Sequence, residues 1–70
     1  MKYDIARIQK ARILKGWSRS KLAEIIGKDP STISALELGK IDGMPATIKA
    51  ISEALEIPMG ELLIEDVKAT

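Results

Sequence analysis

The stretch from Ser18 to Gly39, SRSKLAEIIGKDPSTISALELG, decides how this chain folds. It holds two helical runs separated only by Gly27, Lys28 and Asp29. The first starts at Ser18, whose hydroxyl can accept from an orphan backbone N–H, and ends at Ile26, with Leu22, Ala23 and Ile26 on one face. The second is the best capped in the chain, with Asp29 at the N-cap, Pro30 at the first helical position and Gly39 just past its end. Its apolar pair is Ile33 and Leu36. A three-residue connection forces the second helix to leave at a steep angle, the geometry of a helix-turn-helix. Ala23 is small where the helices would cross, and Gly27 can take positive φ without a Cβ penalty. With Ile33 and Leu36 anchored, Pro30, Ser31, Ser34, Ala35 and Leu38 are predicted to face outward. A helix held proud in this way fits the major groove of B-DNA. On spacing alone, the alternative is an ordinary corner between two packed helices.

The flanking sequence carries three more helical segments and a negligible strand signal. Segment one runs from Asp4, as N-cap, to Lys15 before Gly16, with Ile5, Ile8 and Ala11 inward and Arg12 beside them. After a loop from Lys40 to Met44, segment four runs from Pro45 to Leu55 with Ile48, Ile51 and Leu55 on one face. Pro58 opens a short fifth helix carrying Leu62 and Leu63. The fold class is therefore all-α: one five-helix domain over residues 1–65 and a short tail at 66–70. Ile13 and Leu14 are surplus for an amphipathic first helix and are expected either to cover the tail or to sit exposed. Trp17 is read as a core anchor rather than a ligand-stacking residue.

Composition narrows the function. Seventy residues suit one small domain, which buries only about 60% of its unfolded surface. With 46% hydrophobic and 30% charged residues the chain is too apolar to be disordered and too short for a large catalytic cavity. Cysteine and histidine are absent, which excludes thiolate or imidazole metal sites, disulfides, cysteine nucleophiles and any Ser-His arrangement. No apolar run approaches the roughly 18 residues that span a bilayer, and Met1 to Asp4 has no signal-peptide character. A cytoplasmic binding domain is expected, with no catalytic residue, no metal, no cofactor, no membrane association and no small-molecule ligand. Residues 1–40 hold nine Lys/Arg against four Asp/Glu, a balance of +5, whereas residues 41–70 hold two against six, a balance of −4. Such asymmetry hints at a side that faces a polyanion.

The ordered set Gly16-Trp17-Ser18, Leu22-Ala23, Gly27, Ser31-Thr32-Ile33-Ser34, Leu36-Glu37 and Gly39-Lys40 closely resembles the lambda-repressor-like (XRE-type, Cro-like) helix-turn-helix family. The resemblance continues through Thr47-Ile48, Ile51, Ala54-Leu55, Ile57-Pro58 and Glu61-Leu62-Leu63, so it spans nearly the whole chain. It implies a five-helix DNA-binding domain of the kind found in bacterial or phage transcription regulators that bind operators as dimers. It also implies roles for particular residues. Arg12 and Glu37 match positions that often form an ion pair between the first and third helices; the alternative for each is a solvated charge. Arg19 follows the Ser18 cap, where the family commonly has a glutamine on a phosphate, and Lys28 and Lys40 are further phosphate candidates. Lys10, Lys15 and Lys21 are read as solvated charges contributing to the long-range field.

The second helix of the motif departs from that pattern. Relatives usually carry Gln, Arg, Asn or Lys at outward positions where this chain has Pro30, Ser31 and Ala35, so bidentate reading of guanine or adenine is missing from that surface. The hydroxyls of Ser31, Thr32 and Ser34 and the Ala35 methyl remain, and Asp29 brings a negative charge near the backbone. Either specificity is indirect, through groove shape and water, or the helix serves another partner. A domain making few base contacts calls for a two-fold dimer on two half-sites. Relatives often dimerise near the fifth helix, and Met59, Ile64 and Val67 are the candidates here, while Ile57 and Leu62 are assigned to the core. The expected function is a small dimeric repressor that binds an inverted-repeat operator in double-stranded DNA. The alternative is a protein-interaction module on the same fold, an antitoxin or antirepressor.

Overall fold

Asp4 accepts a hydrogen bond from the Arg7 amide at 3.0 Å, and Ser18 accepts one from the Lys21 amide at 2.9 Å. Two helices thus begin where a short polar side chain satisfies a free N–H. The computed structural model describes residues 2–64 and holds five helices there: α1 (Ile5–Leu14), α2 (Arg19–Ile26), α3 (Pro30–Glu37), α4 (Pro45–Leu55) and α5 (Met59–Leu62). Val67 and the tail at 66–70 lie outside the described residues. The architecture is all-α, and its helix boundaries follow the punctuation of the sequence. Proline opens α3 and α4, and Gly27, with φ +73°, closes α2 in the left-handed region that a Cβ would oppose. α4 ends less comfortably, on Glu56 at φ +60°.

The core draws on every helix. Ile8, Leu22, Ile33, Leu36, Ile48, Ile51 and Leu62 are fully buried, with Ala23, Leu55, Ile57 and Tyr3 completing the cluster. Each large aliphatic side chain so buried contributes roughly 1.5–3 kcal/mol relative to exposure. α2 packs on α3 and α4, while α1 packs on α3, α4 and α5. Gly43, in the loop before α4, comes so close to the core that a Cβ there would lie 2.6 Å from Ile48 Cδ1.

Two local expectations are corrected. Asp29 stands at the N-cap of α3 but its side chain makes no capping hydrogen bond. The start of α3 rests instead on Pro30 and on the Thr32 amide, which donates to the Asp29 carbonyl at 2.9 Å. Leu63 is not part of the fifth helix: it follows α5 in extended conformation and is 40% exposed. It pairs with Tyr3 in an isolated antiparallel bridge, flanked by Asp4 N–H donating to the Leu62 carbonyl (2.7 Å) and Ile64 N–H donating to the Lys2 carbonyl (3.0 Å). This pairing ties the end of α5 to the start of α1, a contact between distant residues that helical periodicity cannot reveal. Of the two alternatives open to the surplus pair in α1, exposure is the one found: Ile13 and Leu14 stand exposed, Leu14 at 77%.

Candidate nucleic-acid interface

The α2–α3 unit is built from its turn. At the end of α2, Gly27 N–H donates to the Glu24 carbonyl (3.2 Å) and Lys28 N–H donates to the Ala23 carbonyl (2.8 Å). These bonds occupy carbonyls that a helix end otherwise leaves open and fix where α3 begins. Ala23 is fully buried at the crossing, so its small side chain lets the two helices approach. Ile33 and Leu36, one turn apart, pin α3 to the core from one side.

On its other side α3 presents short side chains. Pro30 and Ser31 are exposed, and Thr32, Ser34 and Ala35 are half-buried. Leu38, just past the helix end, is 58% exposed. Cations flank this surface, with Lys28 exposed in the turn before α3 and Lys40 exposed beyond its end. Lys40 N–H donates to the Ala35 carbonyl at 2.8 Å, so the residue that follows Gly39 is tied to the last turn of α3. Asp29 is exposed beside Lys28.

Arg12, Arg19 and Glu37 form one cluster where α1, α2 and α3 meet. Arg12 grips both carboxylate oxygens, Nε to Oε2 at 2.7 Å and Nη2 to Oε1 at 3.0 Å, and donates through Nη1 to the Trp17 carbonyl at 2.6 Å. Arg19 Nε donates to the same Oε1 at 2.9 Å. The Glu37 side chain is fully buried, Arg12 is 9% exposed and Arg19 36% exposed. Burial opposes the charge on Glu37, but the hydrogen bonds and charges of the two arginines outweigh it and hold its carboxyl below the ordinary value. The resemblance in sequence pairs Glu37 with Arg12 alone. The Arg19 contact has no local signal, because it depends on how the N-terminus of α2 lands beside the C-terminus of α3.

A family model described as Helix-turn-helix matches residues 8–62, most of the chain. The chain belongs to the helix-turn-helix family. Its match is of the lambda-repressor-like, XRE type, and the five helices observed are the architecture of that group of DNA-binding regulators. No curated protein matches the chain. Within this helix-turn-helix domain, Arg19, Lys28 and Lys40 lie on the α2–α3 unit and its flanks, while Met59 opens the fifth helix and Ile64 lies two residues past its end. Met59 is partly buried against the core, and Ile64 is 53% exposed. Trp17 is half-buried against the core, with the Lys15 ammonium 5.4 Å from its ring centroid. Among the described residues no group of acidic side chains is placed to hold a metal ion, and no helix is long and apolar enough to cross a membrane.

Proposed function

We propose that this helix-turn-helix protein is a sequence-specific transcription regulator, a small cytoplasmic repressor that binds an inverted-repeat operator as a dimer. α3 enters the major groove with Pro30, Ser31, Thr32, Ser34 and Ala35 toward the bases. Arg19, Lys28 and Lys40 meet the phosphates on either side, and a surface including Met59 and Ile64 joins two copies. Val67 belongs to the same dimer assignment by sequence. The protein is read as a binding protein with no catalytic step and no ligand beyond the DNA.

The observation that carries this reading is the placement of α3. It is pinned inward by two buried aliphatics, faces outward with groups small enough for close approach, and has an exposed lysine just before and just after it. Phosphate contacts from the cations would supply most of the affinity and its salt dependence. With Ser, Thr and Ala at the reading surface, much of the discrimination would come from groove shape, deformability and bridging water. Selection from a random duplex pool, followed by binding of the winners at several salt concentrations, tests this directly. An enriched inverted repeat with half-site centres about one helical turn apart is expected. Steeply salt-sensitive binding with no enriched sequence would remove the operator from the account and leave α3 to a protein partner, as in an antitoxin or antirepressor.

A further inference from the structure

The three-residue cluster beneath the DNA-facing surface has an asymmetry. Arg12 uses three of its nitrogens inside the protein and grips both oxygens of Glu37. Arg19 uses only Nε, and among the described residues its Nη groups donate to nothing. One buried carboxylate therefore serves two guanidinium groups, and the charge left uncompensated resides on the more exposed partner. Arg19 is also the first residue of α2, where the backbone N–H groups of Arg19 and Ser20 have no intrahelical acceptor. A guanidinium fixed through Nε has its plane set, so the directions of both Nη groups are set with it.

We propose that Glu37 is a positioning residue for DNA binding, holding Arg19 through Nε so that its Nη edge is already aimed at a backbone phosphate. The inference rests on the DNA-binding reading and deepens it. Arg12 fixes the carboxylate, the carboxylate fixes Arg19, and the mobility of a long side chain is lost on folding rather than on binding. Lysine at position 19 would keep the charge but could not bond Glu37 through one nitrogen while offering two others to phosphate.

The test is a double-mutant cycle on binding to a random-sequence duplex across a range of salt, with Glu37→Gln, Arg19→Ala and the pair. Arg19→Ala should reduce the log–log salt slope by about one. Glu37→Gln should weaken binding by roughly three- to tenfold when Arg19 is present and by less than about twofold in the Arg19→Ala background, the cost of an unheld side chain. Equal losses in both backgrounds, or no loss in either, would overturn the positioning role while leaving DNA binding intact. Failure of the unaltered protein to bind duplex at any salt would overturn both. Glu37→Gln deprives buried Arg12 of its counter-charge and can cost the fold, so the unaltered protein supplies a second readout. Its Arg19 Nε–Hε NMR signal should exchange slowly with water and stay so when duplex is added. Rapid exchange, or release of that proton on DNA binding, would contradict the proposal.

Discussion

Arg12 clamps Glu37 through two N–H···O bonds of 2.7 and 3.0 Å and thereby locks α1 to the last turn of α3. Both side chains are withdrawn from water, Glu37 completely. Removing Arg12 leaves the buried carboxylate with the single Nε bond from Arg19. Arg12→Ala should therefore destabilise the domain by about 1.5–3 kcal/mol, the loss of hydrogen bonds to a buried charge, and by more than a surface pair such as Arg7–Glu61 would lose. Denaturant unfolding of the two arginine variants, Arg12→Ala and Arg7→Ala, measures the contrast. Similar small losses would mean that the clamp adds nothing beyond an exposed ion pair.

The same carboxylate gives stability a pH dependence of known sign. Glu37 has a lowered pKa in the folded protein, so the folded state favours its charged form. Its contribution is complete above the ordinary value of 4.5 and is lost as pH falls from there through the lowered folded value. Glu37→Gln cannot titrate at this position. The melting-temperature gap between the unaltered protein and Glu37→Gln should thus be widest near neutrality and shrink on acidification below about pH 4.5. A gap that stays constant down to pH 3 would show that Glu37 charge and fold are not linked.

Gly43 is set by space rather than by φ. A Cβ at this position would stand 2.6 Å from Ile48 Cδ1, 2.8 Å from Ile48 Cγ1 and 3.4 Å from Leu36 Cδ1. Ile48 and Leu36 are both core residues with almost no exposure. Gly43→Ala should overpack the core and cost about 1–3 kcal/mol. Adding Ile48→Val removes the nearest atom, so the double variant should be less destabilised than the two single losses combined. Simple additivity in thermal unfolding would place the crowding elsewhere.

Ala35 sits on α3, half-buried, on the helix that Ile33 and Leu36 anchor. Glutamine there would bring a side chain able to bond adenine at two positions. Ala35→Gln should change the preferred base at one position of a half-site, with discrimination of about 1–3 kcal/mol, while the melting temperature stays close to that of the unaltered protein. A large drop in melting temperature with unchanged preference would turn α3 about its axis relative to the orientation assigned.

The fold was legible because its punctuation is local. Asp4, Ser18, Gly27 and Pro45 act on their own helix ends, and α4 spans Pro45–Leu55 as its apolar spacing implies. Residues whose role depends on distant chain were not legible. Leu63 continues a helical pattern, yet bonds across to the N-terminal strand-like residues around Tyr3 override it. Asp29 has the right identity for a cap but not the side-chain geometry. Arg19 could be placed at the start of α2 from sequence, but its share in the Glu37 carboxylate follows only from tertiary packing. The reading surface of α3 is legible as a set of small residues, and what those residues select depends on the shape of the partner they meet.

The most direct test of the central claim is a backbone-amide NMR titration of the protein with duplex DNA. The largest shifts are expected to cluster at Arg19 and Ser20, at Lys28 in the turn, along α3 from Ser31 to Ala35, and at Lys40, and added salt should reverse them. Shifts confined to the exposed end of α1 around Leu14 and to Ile57 and Met59, with α3 unmoved, would contradict that claim.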